Sequence, residues 1–215
     1  MRFPLIIFLI SAVFFAGFAQ SLNNCLDFDG TDDYVNCGNH SSLDLTSAIT
    51  IEAWIFYQGG ESYPRITEKY PAPSIYIRES NDLLGWHGEV GGVERDFTFS
   101  NSTIPRNQWT HIAVTYDGNY IRSYINGVYK DWEAQTGALA TTTNNLLIGS
   151  NSTGDRSFDG KIEELRIWST ARTAANIREN MFKSLEGNES GLVAYYPFDH
   201  SSGTTLNDAS LNSND

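Results

Sequence analysis

Short runs of apolar, β-branched and aromatic residues recur along the chain, and turn residues separate them about every 8 to 12 positions, as in an all-β sandwich. The clearest case is the pair of runs at 109–116 and 120–125, after which Asn126-Gly127 leads into a third run at 128–132. Asn-Gly and Asp-Gly between such runs are strong hairpin signals, because a tight primed turn needs positive φ at both central residues. The middle of the protein is therefore predicted to be an antiparallel meander.

The same pattern predicts strands on both sides of the meander. Residues 49–57 carry apolar side chains in both alternating sets, which suits a strand that is covered on both faces. Ile162, Leu165 and Ile167 cannot share one face of a regular strand, so a β-bulge is predicted at Glu163-Glu164. The other predicted strands are 26–28, 34–36, 74–78, 83–87, 93–99, 146–149, 161–168 and 191–198.

One segment departs from the strand pattern. Three of its apolar residues recur at helical spacing: Ile177, Met181 and Leu185. Thr173 can cap the N-terminus of a helix over 174–185, and Gly187 can end it. The predicted fold is therefore an all-β, antiparallel two-sheet sandwich with one short helix at its edge.

Residues 1–19 have the pattern of a secretory signal peptide. Arg2 provides the positive start, the following residues up to Ala19 carry no charge, and small residues occupy positions −3 and −1 of a cleavage site before Gln20. The alternative is a membrane anchor, although an apolar run of about 17 residues is at the short limit for spanning a bilayer. We expect a secreted or cell-surface protein with no membrane insertion after cleavage. Its mature domain would cover 20–198, and a flexible or truncated tail would follow at 199–215.

The charge balance narrows the classes of partner. The chain has 26 acidic and 14 basic residues and a net charge of −12 at pH 7, so it repels nucleic acid and anionic membranes. A glycan, an extracellular or cell-surface protein, or a cation remains as a partner. Acidity that serves only to keep an exported protein in solution is the alternative interpretation.

The two cysteines, Cys25 and Cys37, lie on either side of the loop 29–33. If the flanking strands form a hairpin in which Phe28 faces Tyr34, the same register places the cysteines opposite each other, close enough to bridge. Export permits a disulfide. We therefore expect a Cys25–Cys37 bond, with two free thiols as the alternative.

Four aspartates within seven residues make this loop strongly acidic: Asp27, Asp29, Asp32 and Asp33. Ca²⁺ takes about six to eight oxygen ligands, and carboxylates held close together repel one another without a counter-ion. If the later acidic strand is a neighbour, Asp159 and Glu163 could add ligands. The sequence thus predicts a structural Ca²⁺ site from Asp29, Asp32, Asp159 and Glu163, or else a solvated Asp-Gly turn.

Aromatic residues in the less regular stretches are candidates for sugar binding. The rings of Trp86 and Tyr76 could stack on a sugar face, and His87 and Arg95 could bond its hydroxyl groups, as in a lectin groove. Ordinary partial burial is the alternative for each of them. Tyr63 and Trp132 are further candidates of this kind.

Six phrases together resemble one family, and one of them is the short Ala171-Arg172-Thr173. The other five are LDFDGTDDYV at 26–35, IEAWI at 51–55, WTHIAV at 109–114, FDGKIEELRIW at 158–168 and GLVAYYPF at 191–198. In this order and spacing they are similar to the laminin G-like, concanavalin A-like jelly-roll domains of secreted, chiefly bacterial, multidomain proteins. The resemblance implies two antiparallel sheets packed face to face, an N-terminal hairpin near the strand at 161–168 and, in many members, a structural calcium.

Three functions compete at this point. We favour a secreted, non-catalytic module for carbohydrate or cell-surface recognition or adhesion, with calcium dependence, over a structural or adhesive spacer that has no small ligand. A glycoside hydrolase of the glucanase architecture would need paired carboxylates about 5 Å apart. The strand motif Glu-x-Asp-x-x-Glu of those enzymes is absent from the sequence, and the adjacent Glu163 and Glu164 point to opposite faces of a regular strand.

Overall fold

The computed structural model describes residues 25–199 and 205–215, and its strands form two antiparallel β-sheets. The strands are β1 (Leu26–Asp29), β2 (Val35–Asn36), β3 (Ile49–Gly60), β4 (Arg65–Lys69), β5 (Ala72–Arg78), β6 (Leu83–Val90), β7 (Val93–Thr103), β8 (Trp109–Tyr116), β9 (Tyr120–Ile125), β10 (Val128–Ala134), β11 (Leu147–Ile148), β12 (Phe158–Trp168) and β13 (Leu192–Tyr196). The helical elements are a 3₁₀ turn at Ser41–Leu43 and the helix α1 at Ala174–Asn180. The predicted sandwich with one short helix is confirmed.

The seven-stranded sheet has the order β1-β12-β3-β8-β9-β10, and β13 also pairs with β12. The six-stranded sheet has the order β2-β11-β4-β5-β6-β7. The meander β8-β9-β10 forms as predicted, with φ of 51° at Asn126 and 69° at Gly127 in its second turn. The strand β4 was not predicted, because its sequence Arg-Ile-Thr-Glu-Lys reads as polar. Its charges are paired in the fold, Arg65 with Glu68 and Lys69 with Asp44.

The hydrophobic core lies between the two sheets and contains large aromatic side chains of both, including Tyr57, Trp86, Phe99 and Phe158. On the outer face of the seven-stranded sheet, Ile177 of α1 packs against Ala113 and Tyr124. Burial of apolar surface on both faces of this sheet explains why the central strand β3 is apolar in both alternating sets.

The helix α1 ends five residues before the predicted end. Beyond it, side chains from the sheet bind the backbone carbonyls. Arg166 donates from Nη1 to the oxygen of Asn180 at 2.9 Å and from Nη2 to that of Lys183 at 2.6 Å. The indole of Trp54 donates to the oxygen of Met181 at 2.6 Å. These tertiary bonds replace the helical bonds that would have continued α1 to Leu185.

The predicted N-terminal hairpin and its disulfide are wrong. The strand β1 pairs with β12 in the seven-stranded sheet, whereas β2 pairs with β11 in the six-stranded sheet. The intervening loop therefore crosses from one layer to the other, which separates Cys25 from Cys37, and both are free thiols. Burial raises the pKa of the Cys37 thiol to about 12.

The segment 205–215, part of the predicted flexible tail, has no helix or strand but packs against the sandwich. Asn214 is fully buried and donates from Nδ2 to the oxygen of Val193 at 2.8 Å, while Tyr196 donates to the oxygen of Asn214 at 2.7 Å. The predicted signal peptide at 1–19 lies outside the described residues. Among the helices that are described, none has the length and hydropathy to cross a bilayer.

Candidate functional site

A groove of about 640 Å³ lies at the β2-β11-β4 end of the six-stranded sheet. The register of the three strands determines which side chains form the floor of the groove. Leu147 pairs with Asn36 on one side and with Glu68 on the other, so the three side chains share one face of the sheet. The next residue, Ile148, is fully buried in the core. The face that carries Leu147 is therefore the outer one.

Two aromatic side chains line this groove. Tyr34 follows the interlayer loop, and its side chain is 58% exposed, the largest exposure of any described aromatic residue. Tyr70 stacks on His87 with a centroid separation of 4.5 Å and an interplanar angle of 13°. That stacking fixes the orientation of the Tyr70 ring. The groove thus has one freely accessible ring and one supported ring.

Polar loops form the rest of the groove wall and are held by their own hydrogen bonds. The Lys69 ammonium donates to the oxygens of Thr142 at 3.2 Å and of Asn144 at 2.7 Å. Asn144 in turn donates from Nδ2 to the oxygen of Tyr70 at 2.8 Å. Across the groove, Asn151 donates to Thr153 Oγ1 at 2.8 Å. These bonds preorganise a wall that is rich in amides and hydroxyls.

The four residues predicted to bind sugar do not share a face. Tyr76 and His87 share one face of the six-stranded sheet, because Ser74 pairs with His87 and Tyr76 is two residues from Ser74 on the same strand. This is the outer face, since the side chain of the adjacent Trp86 lies in the core. Trp86 points to the opposite side, where it is 0% exposed in the core, and Arg95, which pairs with Gly88, also lies on the side opposite His87. Strand alternation therefore excludes Trp86 as a stacking platform.

His87 supports the groove by stacking on Tyr70, whereas Tyr76 contacts none of the described residues that line it. Tyr76 is 1% exposed and donates to Asp96 Oδ1 at 2.6 Å. His87 Nδ1 lies 3.2 Å from Arg65 Nη2, and its Nε2 lies 3.1 Å from a carboxylate oxygen of Glu94. Sequence reasoning missed Tyr34 and Tyr70, which lie just outside regular strands, where alternation gives no indication of the face.

The acidic loop brings together three carboxylates, each exposed, with oxygens within 4.8 Å of one another: Asp29, Asp32 and Asp33. The loop is ordered by Asp29 Oδ1, which accepts from the Thr31 amide at 2.8 Å, and by Asp33 Oδ2, which accepts from the Asp29 amide at 3.0 Å. Asp32 also lines the groove. Hard oxygen donors in this arrangement fit the preference of Ca²⁺.

The other two predicted calcium ligands are placed differently. Asp159 lies directly opposite Asp29 in the β1–β12 ladder. Glu163 is four residues further along β12, about 13 Å away by strand geometry, so it does not belong to the acidic loop. The bulge predicted at Glu163-Glu164 is confirmed by a register shift and by a φ of 54° at Glu164. The bulge turns Glu164 toward Arg166 and not toward the loop.

A buried charged cluster lies on the outer face of the seven-stranded sheet, and the sequence pattern did not predict it. Glu164 is hydrogen-bonded to Arg166 and accepts from the Tyr195 hydroxyl at 2.9 Å. Glu52 accepts from the Trp168 indole at 2.9 Å. Burial raises the pKa of both carboxyls, and Arg166 opposes that shift. Both oxygens of Glu164 are hydrogen-bonded, and Glu52 Oε1 has the Trp168 indole and the Arg166 guanidinium as partners, while Glu52 Oε2 accepts no hydrogen bond from the described residues. These partners indicate a structural role.

The sequence of the chain matches a known family. The family model of the concanavalin A-like lectin/glucanases superfamily matches residues 29–178. The chain belongs to this family. Its two-sheet architecture and the groove at one end of a sheet are consistent with that assignment.

Two relatives match part of the chain in sequence, and two solved structures match it in fold. Mouse pappalysin-1 is 29% identical over 156 residues, and human pappalysin-1 is 27% identical over 157; each match covers 62% of this chain and 10% of the relative. The chain thus spans about a tenth of their length. A candidate carbohydrate-binding protein from Bacteroides ovatus superposes with a TM-score of 0.72 at 22% identity, covering 88% of this chain and 57% of that one.

Another similar structure was solved in complex with a sugar. Domain 4 of the extracellular arabinanase AbnA from Geobacillus stearothermophilus, in complex with arabinotriose, has a TM-score of 0.55 at 23% identity. The alignment covers 72% of this chain and 75% of that domain. At such identities the likeness establishes the shared jelly-roll fold.

Proposed function

We propose that this protein is an exported, non-catalytic binding module that recognises a glycan in the groove at the β2-β11-β4 end of the six-stranded sheet. The observation that carries the proposal is the exposed ring of Tyr34 on a groove of about 640 Å³ that Tyr70 also lines. Ligand sites fall in a range of about 300–1,000 Å³ and combine apolar platforms with a few placed polar groups.

The chemistry of the groove suits a hydroxyl-rich ligand. The apolar face of a sugar ring can lie against Tyr34 or Tyr70, and the amides of Asn144, Asn145 and Asn151 can both donate to and accept from its hydroxyls. The similar structure described as a candidate carbohydrate-binding protein and the arabinotriose complex support a sugar as the ligand class. Recognition at a cell surface or in an extracellular matrix would follow from export.

We also propose that Ca²⁺ binds the acidic loop through Asp29, Asp32 and Asp33 and holds the edge of the groove in place. The three carboxylates lie on one short loop and repel one another without a cation. Because Asp32 belongs both to this cluster and to the groove wall, calcium binding and glycan binding would be coupled.

The glycan proposal is tested with Tyr34→Ala and Tyr70→Ala. A glycan array first identifies a ligand, and calorimetric titration then compares the variants. We expect each substitution to weaken binding at least tenfold, or about 1.4 kcal/mol. Tyr129→Ala is the matched control, since this tyrosine is 45% exposed on β10 of the other sheet. Equal affinities in all variants would exclude the groove, and no binding on the array would favour the spacer function.

The calcium proposal is tested by thermal unfolding with Ca²⁺ and with a chelator. A site at 100 times its Kd adds about 2.7 kcal/mol, so the midpoint should rise by about 5 to 10 °C in a domain of this size. Asp29→Asn together with Asp33→Asn should abolish the rise. An identical midpoint in both buffers would contradict the proposal.

A further inference from the structure

We infer that the groove selects uncharged glycans and rejects those that carry carboxylate or sulfate groups, an inference that rests on the proposed function. A cation that can reach an anionic sugar, such as a free ammonium or a forked guanidinium, strengthens its binding through charge-assisted hydrogen bonds. The lining of the groove supplies carboxylates in place of such a cation.

Among the residues that the structure describes, Lys69 is the single basic one that lines the groove, and its ammonium protons already have acceptors. An ammonium group has three protons to donate. Those of Lys69 go to Asn39 Oδ1 at 2.7 Å, the oxygen of Thr142 at 3.2 Å and the oxygen of Asn144 at 2.7 Å. Asp44 lies 3.9 Å from the nitrogen. Lys69 is only 3% exposed, so it holds the loop and has no proton left for a ligand.

The neighbouring cation on the same strand is occupied as well. Arg65 is 7% exposed, and its Nε lies 2.9 Å from a carboxylate oxygen of Glu68. Its guanidinium carbon lies 4.8 Å from the ring centroid of Tyr76, and its Nη2 contacts His87 at 3.2 Å. A guanidinium with all these partners cannot turn toward the groove without breaking an ion pair.

The acidic side of the groove reinforces the selection. Asp32 lines the groove and shares a cluster with Asp29 and Asp33, so three negative charges act from one rim. A single divalent cation in that cluster would still leave it one negative charge. The chain as a whole has a net charge of −12. An anionic sugar would therefore meet repulsion at every calcium concentration, and salt would weaken that repulsion.

Matched pairs of glycans test the inference. We would titrate β-1,4-mannohexaose against the β-1,4-mannuronate hexamer, which differs at C6, and dextran against dextran sulfate, alongside the ligand found on the array. In any pair that binds, the neutral glycan should bind at least tenfold more tightly than its anionic counterpart at low ionic strength. The ratio should shrink when the salt concentration rises to 0.5 M, because exposed charges are then screened.

Two charge-reversal variants localise the effect. Asp32→Lys should lower the ratio of the affinities for the neutral and the anionic glycan at least threefold, because it places a free ammonium group in the groove. Glu133→Lys makes the same change in charge at an exposed site on β10 of the other sheet and should leave the preference unchanged. Equal or tighter binding of the anionic members by the unaltered protein would overturn the inference and leave the glycan-binding function standing. Absence of binding to every glycan would instead overturn the function itself.

Discussion

Glu163 is a carboxyl group in an environment that disfavours its charge. It is 3% exposed, and its Oε2 has no hydrogen-bond partner among the described residues. Burial first, and then the charges of Glu164 and Asp199, raise its pKa from 4.5 to about 7. Between these two values the folded protein binds more protons than the unfolded chain, so the free energy of unfolding falls as the pH rises.

Glu163→Gln should remove that dependence. The amide has the same shape without a charge. Above pH 7 the free energy of unfolding of the variant should therefore exceed that of the unaltered protein, by at most about 3 kcal/mol. The two proteins should converge toward pH 4.5. Urea unfolding between pH 5 and pH 8 measures the difference, with Glu133→Gln as an exposed control. Parallel pH profiles for the two proteins would disprove the assignment.

At the scale of elements, the short helix α1 depends on contacts at both ends. Its seven residues are too few for stability in isolation. At the N-terminus, Thr173 Oγ1 accepts from the Asn176 amide at 3.2 Å, and Asn176 Oδ1 accepts from the Thr173 amide at 3.3 Å, which completes a capping box. At the C-terminus, Arg166 binds the carbonyl of Asn180. The cap was predicted from sequence, and the buried arginine was not.

Thr173→Ala should therefore lower the free energy of unfolding by about 1 kcal/mol, the usual cost of losing a cap. Thr173→Ser keeps the hydroxyl and should retain most of the stability. Chemical denaturation of the three proteins provides the comparison. If alanine and serine behave alike, the capping hydroxyl makes no contribution.

At the scale of the whole molecule, the buried carboxylate of Asp208 organises the segment 205–215 and is one of several groups that bond it to the fold. Asp208 is 7% exposed, and its two oxygens accept from the amides of Tyr195, Ser210 and Asn214 at 2.8 to 2.9 Å. The Ser210 hydroxyl and the Asn214 side chain donate to it as well. The last described residues thus cover β13, so the domain extends beyond its last strand.

Asp208→Ala should leave several buried N–H groups without acceptors and cost about 2 to 4 kcal/mol. Asp208→Asn keeps one acceptor oxygen and should cost less. Limited proteolysis should detect earlier cleavage within 205–215 in the alanine variant, and urea unfolding should give the energy. Unchanged protection of this segment would show that Asp208 does not hold it.

The local features were accessible from sequence alone. The meander, the central strand, the helix cap at Thr173 and the bulge at Glu163-Glu164 all follow from the spacing of apolar and turn residues, which is a property of neighbours along the chain. The family resemblance rests on the same short phrases, and residues 29–178 match the family. The acidic loop was likewise visible, because its aspartates are close in sequence.

Only the tertiary structure decided which strands are neighbours. The pairing of β1 with one sheet and β2 with the other separates Cys25 from Cys37, and local sequence carries no information about that choice. A shift of one position along a strand exchanges the inner and outer faces, which is why Trp86 is in the core while His87 lies outside. The groove beside Tyr34 joins segments far apart in the chain, so its existence depends on long-range packing that periodicity does not encode.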